Sequence, residues 1–191
     1  MKKMEISELN KYRYIVGGLA APGKGRGFIV ILGRLREGAE AMVVIDEMEV
    51  KDLYELVHTA AIWDAFFKCD RWYGDGGNLT MKDFVRQIRK EVAGSQKFGI
   101  APTLLAEKKQ GFYEFAMPTI RKLIDEGKLV LPPNGLLRDY LSKIDADDIS
   151  SMEFGTFPAV EALTFAAVEL HRYKSGGNNV TQKAKHDSIK I

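Results

Sequence analysis

From Tyr12 to Glu47, apolar residues come in short aromatic and β-branched runs, parted by glycine-rich or charged stretches. Tyr12-Arg13-Tyr14-Ile15-Val16-Gly17-Gly18 predicts a strand ended by two glycines. Ala20–Gly27, with three glycines and Pro22, predicts a loop. Phe28–Gly33 is nearly continuous apolar sequence, as suits a strand buried on both faces. Arg34–Glu40 is a polar turn and Ala41–Glu47 a third strand, completing an antiparallel meander. The period then changes. Leu53, Leu56, Val57, Ala60, Ala61 and Phe67 recur at three and four, which is helical spacing. Lys68–Asp75 predicts a short strand running into Gly76-Gly77-Asn78. Thr80 caps a helix over Met81–Ala93, with Met81, Phe84, Val85 and Ile88 inward. Phe98–Pro102 predicts a strand, Phe115–Glu126 a helix stopped by Gly127, and Lys128–Pro132 another strand. Helices over Leu136–Ile144 and Val160–Tyr173 close the pattern. The expected organisation is an arm or lead-in strand over 1–11, one domain over 12–173 and a flexible tail over 174–191. A meander followed by alternating helices and strands is an α/β mixed sheet.

Composition narrows the function. The 191 residues are 46% hydrophobic, and 28 basic residues against 26 acidic give a net charge of +2. That excludes a polycation and an acidic tail protein, while leaving room for a local basic groove. A single cysteine, Cys69, excludes a disulfide framework and a Cys-rich zinc site. Three scattered histidines, His58, His171 and His186, do not make a metal cage. The N-terminus lacks the apolar core of a signal peptide, and no run of apolar residues is long enough to span a bilayer. A cytoplasmic protein with no membrane role is expected.

Four stretches carry candidate chemistry. Gly18–Gly25 nearly spells a phosphate-binding loop, but Gly25 stands where the Ser/Thr metal ligand belongs, and a strand follows instead of a helix. A hairpin connection is the expected reading. Asp75 ends a strand and precedes two glycines, where open α/β sheets place ligands and where a carboxylate suits a hard cation. An Asp-Gly turn is its structural alternative. Glu161 lies in the first turn of the last helix, where the helix dipole alone accounts for a carboxylate. Lys24, Arg26, Lys108, Lys109 and Arg121 are candidate phosphate contacts, or ordinary surface cations.

In order along the chain, several of these stretches resemble the nuclease domain of the phage large terminase. They are Ile15-Val16-Gly17-Gly18 with Phe28–Leu32, Val43-Val44-Ile45-Asp46, Trp72-Tyr73-Gly74-Asp75, Ala106–Gly111 with Met117–Leu129, and Pro158–Ala166. The resemblance covers most of residues 12–173. It implies a ribonuclease H-like mixed sheet with helices on both faces, and Mg2+ or Mn2+ as the cofactor of DNA cleavage. It also implies double-stranded DNA and other phage packaging proteins as partners. Asp75 matches the family's second catalytic acid. The family's first acid, just past the first strand, falls near Leu19, and no carboxylate occurs from Leu9 to Leu35. Its acidic pair before the last helix falls near Phe157 and Pro158, leaving Glu161 one turn on. Asp75 and Glu161 are therefore the expected catalytic and metal-binding residues of a depleted site, with Glu153, Asp147 or Asp148 as candidate substitutes. Also expected is a terminase-nuclease-like domain of phage or prophage origin, too short to carry the ATPase motor as well. It would have reduced or lost cleavage and act in DNA contact or packaging assembly. The alternatives are an active endonuclease with an unrecognised third acid, and a protein-interaction module using Trp63, Phe66, Phe67 and Trp72. Those aromatics are otherwise expected in the core.

Overall fold

The computed structural model describes residues 6–23, 25–36, 41–75, 79–103, 110–145 and 149–172. A helical turn, α1 (Ile6–Leu9), leads into β1 (Tyr12–Ala20), β2 (Gly27–Leu35) and β3 (Met42–Val50). There follow α2 (Leu53–Phe67), β4 (Arg71–Gly74), α3 (Leu79–Glu91) and β5 (Ile100–Pro102). The chain continues through α4 (Phe112–Asp125), β6 (Leu129–Val130), α5 (Leu136–Ser142), a 3-10 turn (Ile149–Ser151) and α6 (Pro158–Arg172). The sheet runs β5-β4-β1-β2-β3-β6. β2 is antiparallel to both β1 and β3, whereas β4 is parallel to β1 and β5 parallel to β4. This is the expected ribonuclease H-like α/β fold.

Side-chain alternation divides the core between the two faces of the sheet. Val16, Ala20, Val30, Leu32 and Tyr73 pack under α4, α5 and α6. Ile15, Leu19, Ile29, Ile31 and Trp72 pack under α2 and α3. Trp63, Phe67 and Trp72 are buried here with Phe66 against them, so these aromatics are core. Among the described residues no helix is long and apolar enough to cross a membrane.

Three local features depart from the expected pattern. β1 does not stop at Gly17-Gly18 but runs on to Ala20, because the two glycines serve close packing and not a turn. A Cβ on Gly17 would lie 2.0 Å from the Trp72 ring, and one on Gly18 would lie 2.0 Å from the Ala162 carbonyl oxygen. Each glycine thus admits a bulky neighbour from one face. β3 continues through the polar stretch Asp46–Val50, since a bulge turns Glu47 and Glu49 toward α5. There Glu47 accepts the Leu137 N–H (3.1 Å), and the Tyr140 hydroxyl donates to Glu49. α4 starts at Phe112, three residues before the expected Phe115, behind Gly111 in the left-handed region (φ 68°).

The helix α2 is capped by Asp52, the residue just ahead of its apolar spacing. Asp52 accepts the Glu55 N–H at 2.8 Å, and Glu55 reaches back to the Lys51 N–H at 2.7 Å. β1 and β2 form a hairpin with no helix after the Gly-rich loop, which removes the phosphate-loop reading. Instead Gly23 packs against Gly155, where a Cβ would meet the Gly155 carbonyl oxygen at 2.3 Å.

Candidate functional site at the carboxyl ends of β1 and β4

Parallel pairing of Gly18 with Tyr73 brings the carboxyl ends of β1 and β4 together, and Asp75 follows β4 directly. α6 begins over the same end, because Ala162 and Ala166 are small enough to lie on Gly18. Its first turn carries Glu161 into the interior, where the residue is 2% exposed.

A buried carboxylate needs donors, and two are present. The Tyr113 hydroxyl donates to Glu161 Oε1 at 2.5 Å, and the Gly155 N–H donates to the same oxygen at 2.6 Å. Tyr113 Oη in turn accepts the Phe157 N–H at 2.7 Å. α4 supplies the tyrosine, the Gly23-packed turn supplies Gly155, and the entry to α6 supplies Phe157. Burial raises the Glu161 carboxyl above its ordinary range; the Tyr113 and Gly155 bonds oppose this, and the charge of Asp75 adds to it. Burial, then the Glu161 charge, pushes the Tyr113 hydroxyl well up. Tyr113 is therefore a fixed donor at neutral pH.

Asp75 and Glu161, paired in expectation from separate stretches, are thus close enough for one charge to act on the other. The position matched to the family's first acid is different. Leu19 belongs to the core under α2 and α3, on the face away from Glu161. Toward the carboxyl end of β1, the residues on the Glu161 face are Gly18 and Ala20, neither of them acidic, and α6 occupies the space of any side chain at Gly18.

Among the described residues no three His, Cys, Asp or Glu side chains converge as a metal site. Two carboxylates with substrate phosphate suit at most one hard cation. Two-ion hydrolysis, which clamps attacking and leaving oxygens together, requires more ligands than this pair. The described residues do not fit a two-ion centre. Of the expected substitutes, Glu153 is exposed in the turn before α6, where its carbonyl accepts the Thr156 N–H (3.1 Å) and hydroxyl (2.6 Å). Asp147 and Asp148 lie outside the described residues.

Of the expected phosphate contacts, Arg26 and Arg121 are described. Arg26 pairs with Glu49 at 3.2 Å, its side chain 70% exposed. Arg121 Nη2 donates to the Ile144 carbonyl at 3.3 Å. Lys24, Lys108 and Lys109 lie outside the described residues. Not anticipated from sequence is a cavity of about 210 Å³ beside Asp75, bounded by Lys82, Arg86 and Arg89 of α3 and by Gly99 and Ile100.

No protein-family model matches this sequence. No curated protein matches it. Solved structures do. The large terminase nuclease of thermophilic phage G20c superposes with a TM-score of 0.56 at 14% identity, over 83% of this chain and 85% of that one. The same nuclease with bound zinc gives 0.54 at 12% identity, over 83% and 84%. The large terminase nuclease domain of bacteriophage SPP1 with bound manganese gives 0.52 at 13% identity, over 88% and 93%. At these identities the likeness is one of architecture, and the fold of this chain is that of the large terminase nuclease domain.

Proposed function

We propose that this chain is a terminase-nuclease-like domain, of phage or prophage origin, that contacts double-stranded DNA while metal-dependent cleavage is reduced or lost. Its place is in DNA contact or packaging assembly alongside other phage packaging proteins. The observation that carries this reading is the close packing of α6 on Gly18. It leaves Asp75 and Glu161 without a carboxylate from β1. Glu161 is further committed to Tyr113 and Gly155, which suits a structural carboxylate. The solved neighbours hold zinc in one case and manganese in another, so Mg2+ or Mn2+ is the ion to supply in any test of residual cleavage.

The alternative, an active endonuclease, keeps support from the effect of Asp75 on Glu161, since closely placed acids are what metal-dependent hydrolysis uses. Nicking of supercoiled plasmid with Mn2+ separates the two. The proposal predicts nicking by the native chain at, or only slightly above, the background set by Asp75→Ala. Robust nicking that Asp75→Ala abolishes establishes the active enzyme instead.

A further inference from the structure

Among the described residues, the cavity beside Asp75 is lined by three cations from one helix and a single carboxylate. Lys82, Arg86 and Arg89 follow one another at four and three, so they share one face of α3. Met81, Val85 and Ile88 of the same helix are buried in the core it shares with α2, leaving Lys82, Arg86 and Arg89 exposed. The cations are held in different ways. Arg89 Nε donates to the Phe98 carbonyl at 2.5 Å. That bond lays its guanidinium over Gly99, where a Cβ would stand 3.0 Å from Nη2. A side chain at position 99 would press on Arg89, so the glycine leaves the guanidinium its place. Arg86 meets Asp83 at 3.0 Å, but both side chains are 70% exposed or more, and such a pair is weak and readily exchanged for a phosphate. Lys82 lines the mouth and is exposed.

The space is large enough for a phosphate with part of its sugar, and its floor is apolar through Met81, Val85 and Ile100. A net positive cavity with a fixed arginine suits a phosphodiester, because guanidinium groups present forked donors to phosphate oxygens. The charge of Asp75 opposes an anion placed directly beside it, which favours a backbone path along α3.

We infer that the groove formed by Lys82, Arg86 and Arg89 binds the phosphodiester backbone of double-stranded DNA and sets its path past Asp75. The inference rests on the DNA-contacting reading above. It assigns the main electrostatic contact to α3 rather than to Lys24, Arg26, Lys108, Lys109 and Arg121.

Fluorescence anisotropy with a short labelled DNA duplex, titrated over a range of salt, tests it. Lys82→Gln/Arg86→Gln changes two exposed side chains, so folding is retained; circular dichroism checks this. The expected result is binding weakened about tenfold or more at low salt, with the slope of log K against log salt reduced by roughly 1.8, about 0.9 for each phosphate no longer neutralised. Lys11→Gln/Lys68→Gln removes the same charge near the opposite end of the sheet and should leave both quantities near native. Equal losses in the two variants would reduce the effect to net charge and overturn the groove. Native affinity in Lys82→Gln/Arg86→Gln overturns it while leaving DNA contact intact. A native chain that binds no duplex at low salt overturns DNA contact itself, and the groove with it.

Discussion

Replacing Tyr113 by phenylalanine removes one oxygen and two hydrogen bonds from the buried end of α6. The phenol donates to Glu161 Oε1 at 2.5 Å and accepts the Phe157 N–H at 2.7 Å. A neutral buried bond contributes about 1 kcal/mol net and one to a charged group about 2 kcal/mol, so the loss should be about 3 kcal/mol near neutral pH. The pH dependence is more diagnostic. Burial raises the Glu161 carboxyl and the phenol opposes that rise, so Tyr113→Phe raises it further. A group whose folded-state pKa is raised contributes stability that is full in acid and lost as pH rises through that value. The deficit of Tyr113→Phe should therefore be larger near neutral pH than in acid, and shrink as falling pH protonates Glu161. Urea unfolding at the two pH values measures it. Glu161→Gln keeps an acceptor at Oε1 and discards the buried charge. It should unfold no more easily than the native chain near neutral pH, and a double-mutant cycle should return a coupling of about 1 kcal/mol. A deficit below about 1 kcal/mol, or one independent of pH, refutes the assigned network.

Gly18→Ala should cost about 3 kcal/mol, the upper range for overpacking a core, since its Cβ would stand 2.0 Å from the Ala162 carbonyl oxygen and 3.0 Å from the Ala166 Cβ. Gly25→Ala, with nothing within 4 Å, should be near neutral, and thermal denaturation of the two distinguishes close packing from backbone freedom. Asp52→Ala should cost about 1 kcal/mol by urea unfolding through loss of the α2 cap, and a neutral result would deny the cap its role.

The meander is legible in the sequence because Ile29 and Ile31 alternate against Val30 and Leu32 between opposite cores, and this burial on both faces is what a continuous apolar strand implies. α2 is legible through its three-and-four spacing. Gly17-Gly18 misleads because a close-packing glycine and a turn glycine are the same letter; only the ring of Trp72 and the backbone of α6 distinguish them. That Leu19 faces away from Glu161 is hidden in the sequence for a related reason. In a strand a shift of one residue exchanges faces, and the face is set by pairing with β4. Tyr113 falls just ahead of the helix expected from Phe115, whereas the helix in fact begins directly after Gly111. The α3 cations have one sequence signal, their spacing at four and three, which ordinary solvated helix faces share.

The number of metal ions that Asp75 and Glu161 can hold decides between a depleted site and a working one. Manganese titration followed by electron paramagnetic resonance, with a short DNA duplex present, counts those ions. At most one weakly held ion per chain, lost in Asp75→Ala, is the predicted result. Two ions bound together on each chain would contradict it, because they would require carboxylates that Asp75 and Glu161 do not supply.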